Sequence, residues 1–552
     1  MFSRAIIHSL RSRFAARREH TPVRPINAVC AAGLLALLVG GCNDDAAPPP
    51  TAEKKEAAPK EATKTVSTAE YRCQQLLTNG LDMLKPESLG ITSQEQQVVD
   101  AFNGWASECG KNAAPASDSP AAPNAKGGSD AFADLYDQTD IEHIRNCWLI
   151  RQLGAGTMRA EATDLDRAVG LFELANQSIE LLPRANTIMP QTPFDIIVIG
   201  RGMAEDRAWI FGELLRQAGI DSVIIRPKSS GAAKPGSAPP RTLVGVLLDK
   251  QVYLFDPALG WPIPGPDDKG TTVSVRHPAT LAQVVAHDEL LRKLDASPAH
   301  KYPLTAADLK TVSVEIITSS RYSEPRIKRI ESFLAGDRST AVYAPLADVG
   351  GRPGLRSRVE NGGGGSWKKE DVSVWQYPDQ QIAAARHLEG EAKKLYDADW
   401  LPFQGPVELE FDVATMQFKV LQGTTYTDAN GKPARKNTGA VPLPGQENER
   451  VEVRHDQQKQ IKARVAQLQG DYATAIRKYL MVQLEELPPR IVLPKEIQER
   501  AMQLPPEKRP KGPVVAEPPQ REFIMNFRAA EDAKFWMGVC QLQTNELETA
   551  EE

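Results

Sequence analysis

Apolar residues between positions 204 and 218 recur at helical spacing, with Ala208, Phe211, Leu214, Leu215 and Ala218 on one face. Glu205 and Asp206 stand in the first turn, Arg216 in the last, and Gly219 just beyond, which are the residue types that helix ends favour. The spacing predicts a helix over 204–218. Val223-Ile224-Ile225 then reads as a short buried strand. Residues 243–248 and 252–255 read as two strands of a hairpin turning at Asp249-Lys250. A helix followed by such strands predicts a helix packed on an antiparallel sheet.

The same reading extends along the chain. Cys73, Leu76, Leu77 and Leu81, then Val98, Val99, Phe102 and Trp105, predict a small helical hairpin. An amphipathic helix opens at Asp164 and runs towards Leu181, a further helix covers 280–294, and 312–317 is a strand. Residues 380–396 read as helical, 407–413 and 418–420 as strands, and Asn430-Gly431 as a turn signal. Ala-, Pro-, Gly- and Ser-rich stretches at 112–129 and 228–240 interrupt the pattern, as do the prolines of 257–266 and 487–520. Trp261, in the third of these stretches, is read as a packing residue. Gly362–Gly365 lacks the lysine and hydroxyl that a phosphate cradle needs after its glycines, so it is read as a loop.

The N-terminus follows a different logic. Arg4, Arg11, Arg13, Arg17, Arg18 and Arg24 precede an apolar run over 31–39 that is too short for a membrane span and suits a secretion signal. The run ends in Leu38-Val39-Gly40-Gly41-Cys42, which resembles a bacterial lipobox and implies lipidation of Cys42. Several acyl chains on one residue anchor a protein stably to a bilayer. The Ala-, Pro-, Lys- and Glu-rich residues up to 69 read as a solvated tether. The expected location is therefore the cell envelope, membrane-anchored and facing the periplasm or exterior.

Composition narrows the partners. With 66 basic and 71 acidic side chains the net charge is -5, which disfavours nucleic acid held through phosphate neutralisation. Of the 6 cysteines, Cys30 and Cys42 fall in the export segment. Cys73 and Cys109 stand near the two ends of the predicted hairpin, so a disulfide between them, worth ~4 kcal/mol in the chain-entropy picture, is one reading; reduced buried thiols are the other. No Cys/His spacing suggests zinc, and no cofactor or metal is expected.

The segment from Gly202 reads GMAEDRAWIFGELLRQAGIDSVII, and after a variable loop comes RTLVGVLLDKQVYLFDP. In order and spacing the two pieces resemble the transglutaminase-like core of the papain-like superfamily, with its G-x-C-x-D-x-A, its helix ending in L-L-R-x-x-G-I, and its histidine-bearing hairpin ending in D-P. Counting back from Leu214-Leu215-Arg216 puts the family's cysteine position at Ala204. Counting back from Asp256-Pro257 puts its histidine position at Arg241 and its triad acid at Asp256. The resemblance implies a cysteine hydrolase or acyl transferase frame with only the acid retained. Alanine has no lone pair to attack with, and a guanidinium accepts no proton at any working pH. His277 and His287, the nearest histidines, do not precede the hairpin as the fold requires and read as surface residues.

Near the C-terminus, Ala463, Gly470, Ala475 and Tyr479 follow at spacings of seven, five and four, and Gly538, Asn545 and Ala550 repeat the first two. Small residues so placed let paired helices approach closely, and the pattern resembles tetratricopeptide hairpins, although generic helical hairpins fit equally. The expected fold class is α+β: a papain-like transglutaminase core, helix packed on antiparallel sheet, flanked by α-helical segments, with tetratricopeptide-like helices at the C-terminus. The expected organisation is a lipoprotein signal peptide (1–41), a tether (42–69), a small helical hairpin (70–111), a linker (112–130), the transglutaminase-like domain (131–320), an irregular linking region (321–378) and a tetratricopeptide-like region with β and Pro-rich insertions (379–552). The function expected is a lipid-anchored, catalytically inactive module that binds or scaffolds a protein or peptide partner. The alternative is an active cysteine enzyme drawing its nucleophile from another segment, such as Cys147.

Overall fold

The computed structural model describes residues 68–84, 95–109, 135–156, 162–182, 190–228, 241–268, 275, 277–331, 333–334, 339–400, 409–412, 417–420, 423–427, 433–437, 450–451, 458–483, 491–492, 495–516 and 520–544. The signal segment, Cys42 and nearly all of the tether, the 112–130 linker, the 229–240 loop, Asn430-Gly431, Asn545 and Ala550 lie outside the described residues.

The first two helices among the described residues, α1 (Thr68–Asp82) and α2 (Glu95–Cys109), form an antiparallel pair. Leu77, Leu81, Val98, Phe102 and Trp105 form their buried seam. This hairpin is not a free-standing unit. Its core is continuous with α3 (Gln138–Ala155) and with Tyr322, Ile327, Ile330 and Val342, so these four side chains share its burial. Arg72 pairs with Glu108 at 2.9 Å across the hairpin. Cys109 is disulfide-bonded, and the side chain of Cys73 lies outside the described residues.

The centre is built from α4 (Asp164–Ser178), β1 (Glu180–Leu181), α5 (Pro193–Ile199), β2 (Arg201–Gly202) and α6 (Ala204–Gln217) on one side of a sheet. The sheet comprises β3 (Asp221–Pro227), β4 (Leu243–Leu248), β5 (Gln251–Asp256), β6 (Trp261–Pro262), β7 (Val312–Ile316) and β8 (Val372–Val374). Its six strands run in the order β6-β5-β4-β3-β7-β8, antiparallel except for the β7/β8 pair. The fold is thus mixed α/β around a mostly antiparallel six-stranded sheet.

Period-two alternation divides the strand residues between two cores. Ile224, Val244, Val246 and Phe255 face α4 and α6. Val223, Ile225, Leu243, Leu247, Leu254, Val314 and Ile316 face the opposite layer. There α7 (Leu281–Ala286), α8 (Glu289–Arg292) and α10 (Leu355–Gly362) cover them. The β4–β5 hairpin turns through Asp249 and Lys250 at φ 50° and 61°, the pair of positive values that a two-residue turn matched to strand twist requires.

Several expectations are corrected. Helix α6 is buried all round rather than on one face, because it is clasped by α3, α4, α5 and the sheet; Asp206, Arg207, Trp209 and Glu213 are all buried with its apolar stripe. At Gly212 an added Cβ would come within 2.6 Å of Ile317, so the helix lies tight against the chain leaving β7. The 280–294 helix is two short helices, since His287 leaves helical geometry and the Asp288 carboxylate accepts the Ala306 amide at 2.7 Å instead. Residues 321–378 are no irregular link: α9 (Pro325–Glu331) and α10 pack into the cores, and β8 completes the sheet. The 380–396 helix is also two, α11 (Tyr377–Arg386) and α12 (Gly390–Trp400), the second entered through Gly390 at φ 59°.

Beyond lie β9 (Leu409–Asp412), β10 (Gln417–Val420), β11 (Gly423–Thr427), β12 (Pro433–Asn437) and β13 (Arg450–Val451). Then come α13 (Gln458–Leu468), α14 (Tyr472–Gln483), α15 (Lys495–Met502) and α16 (Gln520–Gln543). Ala463, Ala475 and Tyr479 are fully buried between α13, α14 and α16, together with Ala533, Trp536 and Cys540.

Candidate functional site

Helix α6 starts immediately after β2, with Met203 in extended backbone geometry as its N-cap and Ala204 as its first residue. The Asp206 carboxylate turns back to accept the Met203 amide at 2.8 Å and also accepts the Tyr377 hydroxyl at 2.8 Å. Its role is to close the helix start. Arg207, one residue on, donates to the carbonyls of Pro257 (3.1 Å) and Ile179 (2.6 Å). Burial brings the Arg207 guanidinium down to about 10. The first turn of α6 is thereby tied to the end of β5, where Asp256 stands.

Asp256 has no exposed surface. Its Oδ2 accepts Arg241 Nε at 2.7 Å and the Tyr302 hydroxyl at 2.6 Å. Its Oδ1 accepts the amides of Ala258 and Leu259, each at 2.9 Å. Both oxygens therefore carry two donors, which uses the accepting capacity of the carboxylate. The Arg241 side chain remains about a quarter exposed (25%), and its guanidinium lies 5.5 Å from the Tyr302 ring centroid. Burial works against the charge of Arg241, but the facing Asp256 outweighs it and raises the guanidinium further above its usual range. Burial also raises the Tyr302 hydroxyl, reinforced by the neighbouring carboxylate, so it stays a donor.

The structure thus brings Arg241 and Asp256 together and ties the Ala204 end of α6 to the same strand end through Arg207. It does not bring Cys147 there. Cys147 Sγ lies 3.2 Å from the Tyr322 hydroxyl and 3.9 Å from His143 Nδ1, beside Glu213. Glu213 follows Ala204 by nine residues on α6, a rise of about 13 Å. Burial pushes the Cys147 thiol far up and holds His143 down at about 4. A neutral thiol beside a neutral imidazole is the opposite of an activated pair. Cys540 is likewise raised by burial, to about 12. His287 pairs with exposed Glu289, and His277 is exposed. Among the described residues no cluster of three His, Cys, Asp or Glu side chains could hold a metal, and no helix is long and apolar enough to cross a membrane.

Tyr302 and Arg207 are the site residues that sequence reasoning missed. Arg207 lies inside the quoted motif at a position the family leaves open, and Tyr302 is 46 residues from Asp256 with no local signal.

Asp206 supplies a pH prediction. Burial raises its carboxyl from 3.8 to about 6, against the opposing bonds from Met203 and Tyr377. The folded chain therefore binds this proton more tightly than the unfolded chain. Its contribution is complete below 3.8 and fades as pH rises through about 6. His143 acts in the opposite sense over the same range, so the readout is a difference between proteins. On going from pH 7.5 to pH 5, wild type should gain stability relative to Asp206→Asn in urea titrations. Parallel profiles would show that Asp206 does not carry the effect.

Comparison with known proteins finds no family model, no curated protein and no solved structure that matches this chain.

Proposed function

We propose that this chain is a lipid-anchored envelope protein whose central domain keeps a transglutaminase-like, papain-like frame for binding or scaffolding and not for catalysis. The observation that carries the reading is the state of Asp256. In a working triad this carboxylate orients an imidazole; here both its oxygens are occupied by Arg241, Tyr302 and two backbone amides. Ala204 at the tip of α6 offers no nucleophile. A helix packed across an antiparallel sheet agrees with the expected frame. Attachment through Cys42 and the envelope location rest on the N-terminal pattern, and a protein or peptide partner on the missing catalytic residues and the tetratricopeptide-like C-terminal pattern.

Two experiments test it. Folded protein at neutral pH should leave Cys147 and Cys540 unlabelled by iodoacetamide over a period in which the unfolded chain labels fully. Fast labelling of Cys147, prevented by an acyl-donor peptide, would overturn the non-catalytic reading. For the anchor, wild type should require detergent for release from membranes and Cys42→Ser should not. Release of both without detergent would remove the lipoprotein assignment.

A further inference from the structure

A small cavity of about 30 Å³ lies between α3, α6 and α11 and is lined by neither Arg241 nor Asp256. Its walls include His143 and Cys147 of α3, Trp209 and Glu213 of α6, and Ile382 and Arg386 of α11. Cys147 is 1% exposed, and its thiol, pushed far up by burial, is unreactive while it stays enclosed.

The α11 wall is held differently from the other two. Helices α3 and α6 are buried along most of their length, whereas Pro378 is the one buried residue of α11. The chain is anchored on either side of that helix. Upstream, Trp375 donates its amide to the Ile316 carbonyl at 3.0 Å and stacks on Tyr377, whose hydroxyl bonds Asp206. Downstream, Tyr396 and Trp400 donate to the buried Asp195 at 3.0 and 3.1 Å, and Trp400 stacks on Phe194. Between these anchors, residues 379–389 are tied down by polar contacts near the surface. Asp379 accepts the amide and hydroxyl of Ser320 at 3.0 and 3.1 Å, Gln381 accepts the Gln191 amide at 3.4 Å, and Arg386 reaches Glu142 at 3.1 Å. Ile382 adds a partly buried apolar contact. The helix ends at His387, which leaves helical geometry, and Gly390 at φ 59° turns the chain into α12. Partly exposed ion pairs and hydrogen bonds contribute little and are screened by salt. A segment held mainly by them opens more readily than the cores around it.

We infer that residues 379–389 form a hinged lid over this cavity, which swings out between Tyr377 and Gly390 while the sheet stays folded and so opens Cys147 to solvent and small molecules. On its other side Cys147 belongs to the hydrophobic cluster shared by α1, α2, α3 and α9, so the lid is the wall most easily moved. Removal of Ile382 and Arg386 from the cavity takes away its α11 side and leaves α3 and α6 in place. The inference is independent of the reading proposed for the Asp256 site.

The test is the rate of iodoacetamide labelling of the full chain at neutral pH, read separately for each cysteine by peptide mass spectrometry. Cys540, buried among α13, α14 and α16, reports unfolding elsewhere in the molecule. Cys147 should label slowly, at a rate nearly independent of urea below the unfolding transition, because a local opening exposes little new surface. The double variant Asp379→Ala/Arg386→Ala, which removes two of the ties, should speed Cys147 labelling about three- to tenfold and leave the Cys540 rate unchanged. If the double variant fails to fold, Arg386→Ala alone serves, with a smaller acceleration confined to Cys147. A Cys147 rate that ignores the substitutions, that climbs with urea in step with global unfolding, or that rises together with the Cys540 rate would each overturn the inference.

Discussion

Replacing Arg464 with alanine should lower the unfolding free energy by about 3–5 kcal/mol, among the largest single-residue effects in the molecule. Arg464 lies on α13 and is 1% exposed, yet its hydrogen bonds cross to the central body. It donates to the Ile197 carbonyl at 2.7 and 3.1 Å and to the Ser178 carbonyl at 2.6 Å. It also donates to Gln467 at 2.9 Å, and its guanidinium stacks 4.0 Å over Trp536 of α16. One side chain therefore ties the ends of α4 and α5 to two C-terminal helices. Truncation leaves two backbone carbonyls without donors and a cavity the size of a long side chain. Lysine should rescue little, because a point ammonium cannot span both carbonyls and stack on an indole. Urea titrations read the loss, and limited proteolysis should show 458–544 becoming cleavable before the sheet. A change under ~0.5 kcal/mol would mean that Arg464 does not hold the two parts together.

Asp256→Ala should cost a similar ~3–5 kcal/mol, because it strands the buried charge of Arg207 and the partly buried charge of Arg241 and orphans the Tyr302 hydroxyl and two amides. Asp256→Asn, isosteric but uncharged and bearing an unwanted donor, should recover only part of that. The double-mutant cycle with Arg241→Ala isolates the pair, and a coupling of at least ~1 kcal/mol is expected for a charge-assisted bond of this burial. Additive losses would mean that Arg241 merely lies beside Asp256. The result also bears on the proposed function, since a carboxylate held for structure should be far more sensitive in stability than an orienting group in an open cleft.

Much of the central architecture was legible because it is local. The α6 helix, the β4–β5 hairpin and its turn residues are all specified within about 55 consecutive positions by period and end signals. What escaped is long-range. Nothing near Val372 announces that it pairs with Val314, so a sheet strand was read as part of a link. Periodicity marked one face of α6 but could not say that its charged side would be enclosed too, because Arg207, Asp206 and Glu213 are satisfied by carbonyls and hydroxyls far away in sequence. The break at 287–288 was invisible for the opposite reason, as the residues there tolerate a helix and the contact of Asp288 with Ala306 decides against it, whereas Gly390 at φ 59° is a local signal for the second break. At the site, Arg241 and Asp256 could be singled out from the sequence, while their neighbours Tyr302 and Arg207 became evident only in three dimensions.

The completion of the sheet by β8 has a consequence for the order of assembly. The last strand is not synthesised until Val374 has emerged, so the two cores on either side of the sheet cannot both close before roughly two thirds of the chain exists. Arg464 then has to find carbonyls 267 and 286 residues upstream. It can do so only where Gly200, at φ 79°, leaves room that any side chain would take from Trp536 and Arg464. Contacts of such high sequence separation form slowly. A nascent chain therefore holds a finished landing surface at Ser178 and Ile197 for as long as it takes to make α13 to α16, and that interval is when it is most open to a chaperone or to a wrong neighbour.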